Sequence, residues 1–257
     1  MKPELQVHAP YDYLVRDLAF VIKQRLNPEI YFSANDLDRL KVKIAKDTAR
    51  ALKLNGTTIT FHAPFRDLSP GGHDSKVRKV TLERLHETLE LARYFHPKVV
   101  VCHSGFYLWA RSAPLDEWVK RSLPIWRSLV ARAKKLGTVI ALENVYEDSP
   151  EPIVQILKGI PSPFLGFCYD VGHSHIFSRV PAVSWLKALG SRTVEVHLHD
   201  NHGKEDEHLP LGQGDIDFGQ LFSLLSRYAN QPILAIEPTQ KRHIARYVEV
   251  LKKIGVR

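Results

Sequence analysis

Short apolar runs in this chain repeatedly end on an acid or an imidazole. Thr60-Phe61-His62, Val101-Cys102-His103, Ala141-Leu142-Glu143, Cys168-Tyr169-Asp170, His197-Leu198-His199-Asp200 and Ile236-Glu237 share that form. A carboxylate at the end of a buried strand is costly unless it is paired or bound to a cation. One strand-end histidine is an ordinary hydrogen-bonded core residue, but six such ends in series require a common purpose. Imidazoles and carboxylates together suit Zn²⁺, Mn²⁺ or a related divalent ion. Two segments extend the set. Asp170-Val171-Gly172-His173 adds an imidazole just past its run, with Gly172 expected to permit a tight turn. Asp206-Glu207-His208 holds an acid and an imidazole two residues apart, which in extended chain point the same way and could share one ion.

These side chains converge only if the runs are parallel strands whose carboxyl ends lie on one face. Strands are expected at Leu5–His8, Glu29–Phe32, Thr58–His62, Lys98–His103, Thr138–Glu143, Leu165–Asp170, Thr193–His199 and Ile233–Glu237. Amphipathic stretches lie between them at Asp36–Lys53, Val77–Tyr94, Leu115–Leu136, Phe218–Tyr228 and, last, Lys241–Ile254. Eight strands alternating with helices imply the α/β class and a (β/α)8 TIM barrel, one domain over residues 1–257. A doubly wound open sheet would more often place a glycine-rich turn after its first strand, and Leu5-Gln6-Val7-His8-Ala9-Pro10 has none. Pro70-Gly71-Gly72 and Asn201–Glu207 read as long loops at the barrel mouth. Parity turns Cys168 and Glu195 inward, the latter toward a basic partner, and Cys102 outward.

Composition narrows the function. Hydrophobic residues make up 44% and charged residues 25%, ordinary for a soluble globular protein. Two cysteines encode no disulfide framework, and no signal peptide or 18-residue apolar span is read, so a cytoplasmic protein with no membrane partner is expected. Lys and Arg exceed Asp and Glu by 36 − 28 = 8. That balance favours anionic partners, but the basic residues are spread along the chain and nucleic acid is not favoured.

With these residues in hand, the sequence resembles the xylose-isomerase-like TIM-barrel superfamily, which includes sugar phosphate isomerases and epimerases and the endonuclease IV type of AP endonuclease. The resemblance is carried by His62-Ala63-Pro64-Phe65, Glu143-Asn144, Asp170-Val171-Gly172-His173, the run His197–Asp217 and Ile236-Glu237-Pro238. It implies for the isomerases and epimerases one ion on Glu143, Asp170, His197 and Glu237. For the endonuclease type it adds His62, His103, His173, Asp206 and His208, giving three zinc ions. Departures from the endonuclease pattern, such as Ala63-Pro64-Phe65 and Asp170-Val171-Gly172-His173, weigh against DNA repair.

The expected activity is isomerisation or epimerisation of a sugar or sugar phosphate. Glu143 and Glu237 would move protons beside a metal-polarised carbonyl. The alternative is a multinuclear zinc phosphoesterase resembling endonuclease IV, and the next a non-catalytic metal-binding barrel. One divalent ion with three carboxylates leaves 2 − 3 = −1, a site for neutral polyols, whereas three ions with four carboxylates leave 6 − 4 = +2, a site for anions. The cofactor expected is one to three ions of Zn, Mn, Mg or Co, and the partner a small sugar or phosphorylated molecule; a homo-oligomer is compatible. Substrate contacts are expected from His8, Arg66, Phe106, Trp109, His199 and Lys204.

Overall fold

A computed structural model describes residues 4–107 and 114–253 of the chain. Eight strands pair in parallel and in sequence order: β1 (Leu5–Pro10), β2 (Asn27–Tyr31), β3 (Thr60–His62), β4 (Val99–His103), β5 (Val139–Glu143), β6 (Leu165–Asp170), β7 (Thr193–Leu198) and β8 (Ile233–Ile236). The first strand pairs with both the second and the eighth, so the sheet closes into a barrel.

Closure gives each strand one side toward the interior and one toward the helices. Val100 and Cys102, Ile140 and Leu142, and Phe167 and Tyr169 face outward into the main core, buried with Trp126, Leu129 and Trp185. Val99, Val101, Ala141 and Cys168 form a separate, smaller cluster inside the barrel. Following that inner parity upward reaches His103 after Val101, Glu143 after Ala141 and Asp170 after Cys168. The site is therefore the polar top layer of an apolar column.

The outer ring contains α1 (Tyr11–Arg16), α2 (Leu18–Lys23), α3 (Ala34–Asp38), α4 (Val42–Leu54), α5 (Ser75–Phe95), α6 (Leu115–Leu136), α7 (Glu151–Gly159), α8 (Val171–Phe177), α9 (Ala182–Leu189), α10 (Phe218–Tyr228) and α11 (Ile244–Lys253). The single helix expected over Asp36–Lys53 is two. Ser33 Oγ accepts from the Asp36 amide at 3.1 Å while Asp36 Oδ2 accepts from the Ser33 amide at 2.9 Å. This reciprocal cap starts α3 ahead of the expected position. The chain then leaves helical geometry between Asp38 and Val42, and α4 begins. Ile254, the expected end of the last helix, lies outside the described residues. No helix among the described residues is long and apolar enough to cross a membrane.

Candidate metal centre

His197 is the hub. Its ring is fully buried, and Nε2 lies 3.0 Å from Glu29 Oε1, to which it donates. The other nitrogen, Nδ1, faces Glu237 Oε1 at 3.3 Å, Glu143 Oε1 at 3.5 Å and Asp170 Oδ2 at 3.7 Å. Neither His197 Nδ1 nor Asp170 Oδ2 has a hydrogen-bond partner among the described residues. A bare nitrogen lone pair turned toward three carboxylate oxygens is repulsive unless a proton or a cation lies among them. Four donor atoms from four successive barrel units thus bound one small space.

Two further groups flank this cage with the same chemistry. His62 donates from Nδ1 to the Ala63 carbonyl at 2.8 Å and brings Nε2 to 3.0 Å from Glu143 Oε2. His103 Nε2 lies 3.3 Å from that same oxygen. On the other flank His173 Nδ1 lies 3.1 Å from the Asn144 carbonyl, and its Nε2 is 3.3 Å from Asp206 Oδ2. His208 Nε2 reaches the same Asp206 oxygen at 3.2 Å. His199 stacks on His208 with ring centroids 3.9 Å apart. Its Nε2 lies 3.2 Å from Asp170 Oδ1, yet neither of its ring nitrogens has a well-aligned hydrogen-bond partner among the described residues.

The electrostatics follow from this crowding. Burial disfavours the charged form of His173 and His197, but the carboxylates around them outweigh it and hold both well above the usual imidazole range. For His208 burial is likewise overcome, chiefly by Asp206, and its pKa is pushed up to about 9. Burial would raise Glu143 and Asp170, yet the neighbouring imidazoles keep both below the ordinary carboxylate range. His103 goes the other way, because its burial exceeds what Glu143 returns. A site that must load its imidazoles with protons to neutralise its acids offers those same positions to a divalent cation. Nitrogen and oxygen donors at such spacing fit Zn²⁺, Mn²⁺ or Co²⁺. Cys168 adds no thiolate, since burial pushes its thiol well up.

The segment that carries Asp206 and His208 is tied down by one buried carboxylate. Asp200 Oδ1 accepts from the amides of Asn201 and Ile216, at 3.0 and 3.2 Å, and Oδ2 from those of Gly212 and Gly214, at 2.8 and 2.9 Å. Asp200 and Leu209 exchange two backbone hydrogen bonds of 2.9 Å, and the Tyr247 hydroxyl donates to the Leu209 carbonyl at 3.0 Å. His208 itself has φ of +49°, a left-handed conformation that costs a residue with a Cβ.

Gly172 does not serve the tight turn expected of it. It lies in α8, whose first turn is capped by Asp170 accepting from the His173 amide at 2.6 Å. A methyl group at Gly172 would overlap the His199 ring. Gly172→Ala is therefore expected to displace His199 at an overpacking cost of about 1–3 kcal/mol. That corresponds to a Tm loss of about 2–4 °C per kcal/mol for a chain of this size, readable by calorimetry.

Nine of the expected positions, His62, His103, Glu143, Asp170, His173, His197, Asp206, His208 and Glu237, are thus gathered within one network. A cavity of about 970 Å³ opens above them. Of the residues expected to contact substrate, His8 and Arg66 line it. Phe106 does not: it is buried, edge-on to Trp118 at 5.1 Å, because the backbone after β4 turns it into the core. Lys204 is exposed and off the cavity wall. His199 is fully buried among the carboxylates and likewise off the wall. Trp109 lies outside the described residues.

The sequence reading missed the aromatic wall of Tyr31, Phe65, Tyr146 and Phe177. It also missed Glu29, although Glu29 and Tyr31 alternate with Ile30 and Phe32 and so share the inward side of β2. Glu195 points inward as expected, but its hydrogen-bond partner is the Thr60 hydroxyl, 3.0 Å away, instead of a base. Glu147 had no local signal. It is buried between Ser104 Oγ and the Val145 amide, and burial pushes its carboxyl up to about 7.

Residues 27–254 match the family model of the xylose isomerase-like TIM barrel, and the chain belongs to that family. An uncharacterised protein of Methanocaldococcus jannaschii, MJ1311, is 33% identical over 203 residues, spanning 76% of this chain and 69% of that one. Among solved structures, a D-tagatose 3-epimerase-like protein aligns at TM-score 0.79 and 28% identity, covering 99% of this chain and 97% of that chain. The TTHB071 protein from Thermus thermophilus, soaked with ZnCl2, aligns at TM-score 0.80 and 25% identity over 98% of each chain. An L-ribulose 3-epimerase shares the fold at TM-score 0.79 and 17% identity.

Proposed function

We propose that this chain is a divalent-metal-dependent epimerase or isomerase of sugars or sugar phosphates. The observation that carries the reading is the cage of Glu143 Oε1, Asp170 Oδ2, Glu237 Oε1 and a His197 Nδ1 with no hydrogen-bond partner among the described residues, lying at the foot of a wide cavity. A divalent ion held there would polarise a substrate carbonyl and acidify the neighbouring C–H.

The chain supplies the remaining chemistry. Glu143 and Glu237 approach from β5 and from the end of β8, so one can take a proton from carbon while the other returns it. Each turns its second oxygen toward imidazoles that can hold that proton. Glu143 Oε2 meets His62 at 3.0 Å, and Glu237 Oε2 meets His208 Nδ1 at 3.4 Å. Tyr31, Phe65, Tyr146 and Phe177 offer flat apolar faces to the C–H side of a sugar ring. Arg66 at the mouth suits a phosphate on the substrate.

Charge favours a second reading beside the first. Glu29, Glu143, Asp170, Asp206 and Glu237 place five carboxylates in one network. With neutral histidines, one divalent ion leaves 2 − 5 = −3, two leave 4 − 5 = −1 and three leave 6 − 5 = +1. Uncompensated buried charge is expensive, so two or three ions suit the acids better than one. A multinuclear zinc site of that kind would favour phosphoester hydrolysis.

The test is elemental analysis of protein purified without chelator or added metal, followed by two assays. One follows deuterium entering beside the carbonyl of a panel of ketoses in D2O by NMR. The other follows cleavage of bis-p-nitrophenyl phosphate and of an abasic-site duplex. Deuterium exchange with one or two ions per chain supports the epimerase. Phosphoester cleavage without exchange replaces it by the hydrolase.

A further inference from the structure

We infer that Glu29 is the positioning residue of the centre: one buried carboxylate orients two imidazoles at once, that of His197 in the cage and that of His8 on the cavity wall. Oε1 of Glu29 accepts from His197 Nε2 at 3.0 Å, and Oε2 accepts from His8 Nδ1 at 3.1 Å. Glu29 is fully buried and takes no part in lining the cavity, so it acts through these rings and not on a substrate.

A neutral imidazole carries one hydrogen, and the partner of one nitrogen decides which nitrogen is left bare. For His197 the bare atom is Nδ1, the one that faces Glu143, Asp170 and Glu237. For His8 it is Nε2, on a ring that lines the cavity and stacks on Tyr31 with centroids 5.7 Å apart. His8 Nδ1 also lies 3.6 Å from Glu237 Oε1, a weaker alternative acceptor. Glu29 keeps the His8 hydrogen off that oxygen and leaves it to the cage. The arrangement gives His8 a stated task as well: its Nε2 accepts a hydrogen bond from a substrate hydroxyl. Carboxylates that hold the far nitrogen of a metal-binding histidine fix its tautomer and raise its basicity, and losing one typically weakens metal binding about 10–100-fold.

The inference rests on the reading of the cage as a cation site, so the experiment separates the two. Wild type, Glu29→Gln and Glu29→Leu are stripped with chelator and titrated with Zn²⁺ against a chromophoric chelator. Proton-coupled nitrogen NMR of 15N-histidine protein then reports the tautomers of His8 and His197 in the Zn²⁺-loaded state. A wild type that takes up no Zn²⁺ removes the cage reading itself. With wild-type uptake, Glu29→Leu is expected to weaken the first ion about 10–100-fold and to release His197 from its Nε2–H form. Glu29→Gln, whose amide oxygen can still accept from one ring, is expected to lose less. Unchanged affinity with an unchanged His197 tautomer in Glu29→Leu overturns the inference, as does zinc on His197 Nε2 in the wild type. Should the leucine variant not fold, glutamine still decides. Its amide cannot accept from both rings, so His8 or His197 must change tautomer, and no change in either overturns the inference.

Discussion

Glu143→Ala is expected to empty the centre and lower proton exchange into substrate by at least about 10²–10⁴-fold, the range for loss of a positioned acid–base group. Glu143 meets four imidazoles at 3.0–3.5 Å, His62 and His103 on one oxygen and His173 and His197 on the other. Its removal leaves the cage with two carboxylates and sets those four rings against no common acid. Glu143→Gln keeps the shape and tests the charge alone; it should fold, hold less metal and remain inactive. Elemental analysis and deuterium exchange read both outcomes. A Glu143→Ala protein with full metal content would place the ion elsewhere in the network.

The second large effect concerns pH. In metal-free protein His208 keeps its proton to about 9, against 6.5 for an unperturbed histidine, and His173 and His197 shift the same way. A raised folded pKa means the native state binds the proton more tightly than the unfolded chain. The resulting stabilisation is complete below 6.5 and fades as the pH rises to about 9. For His208 alone the ceiling is about 3 kcal/mol, so chelated protein should lose on the order of 5–10 °C in Tm across that window.

Glu143 and Asp170 act at the acid end. Their folded pKa values lie below the unperturbed 4.5 and 3.8, so their contribution stands above those values and is lost as the pH falls further. Loaded protein should behave differently above 6.5. There the ion replaces the protons and releases them on binding, so the gap in Tm between loaded and chelated samples should widen toward pH 9. Calorimetry in EDTA and in MnCl2 measures it. A flat profile for chelated protein from 6.5 to 9 would show that these rings hold no extra protons.

The strands and most of the centre were legible because a strand writes its geometry into the sequence at every second residue. Val101 to His103, Ala141 to Glu143 and Cys168 to Asp170 each announce an apolar column with a polar top. Where that alternation was not followed, Glu29 was overlooked although it alternates with Ile30 along β2. Loops carry no such period. Phe106 was expected on the wall because it follows β4, but its side chain finds Trp118 in the core. Lys204 stands in the expected loop yet points into solvent. Gly172 shows a different limit: its need is set by His199, 27 positions later in the chain, and no local pattern reveals that two segments must touch. The early start of α3 was available in principle, since Ser33 and Asp36 have the spacing of a reciprocal cap.

Asp200 has a consequence for how such a protein changes over time. Because its carboxylate gathers the amides of Asn201, Gly212, Gly214 and Ile216, the stretch is anchored on both sides of residues 202–208 by bonds that none of their side chains makes. Residues 202–208 are then a replaceable cassette on a fixed frame. New side chains there would alter the occupants of the barrel mouth while leaving the frame to fold as before, an inexpensive path from one chemistry to another.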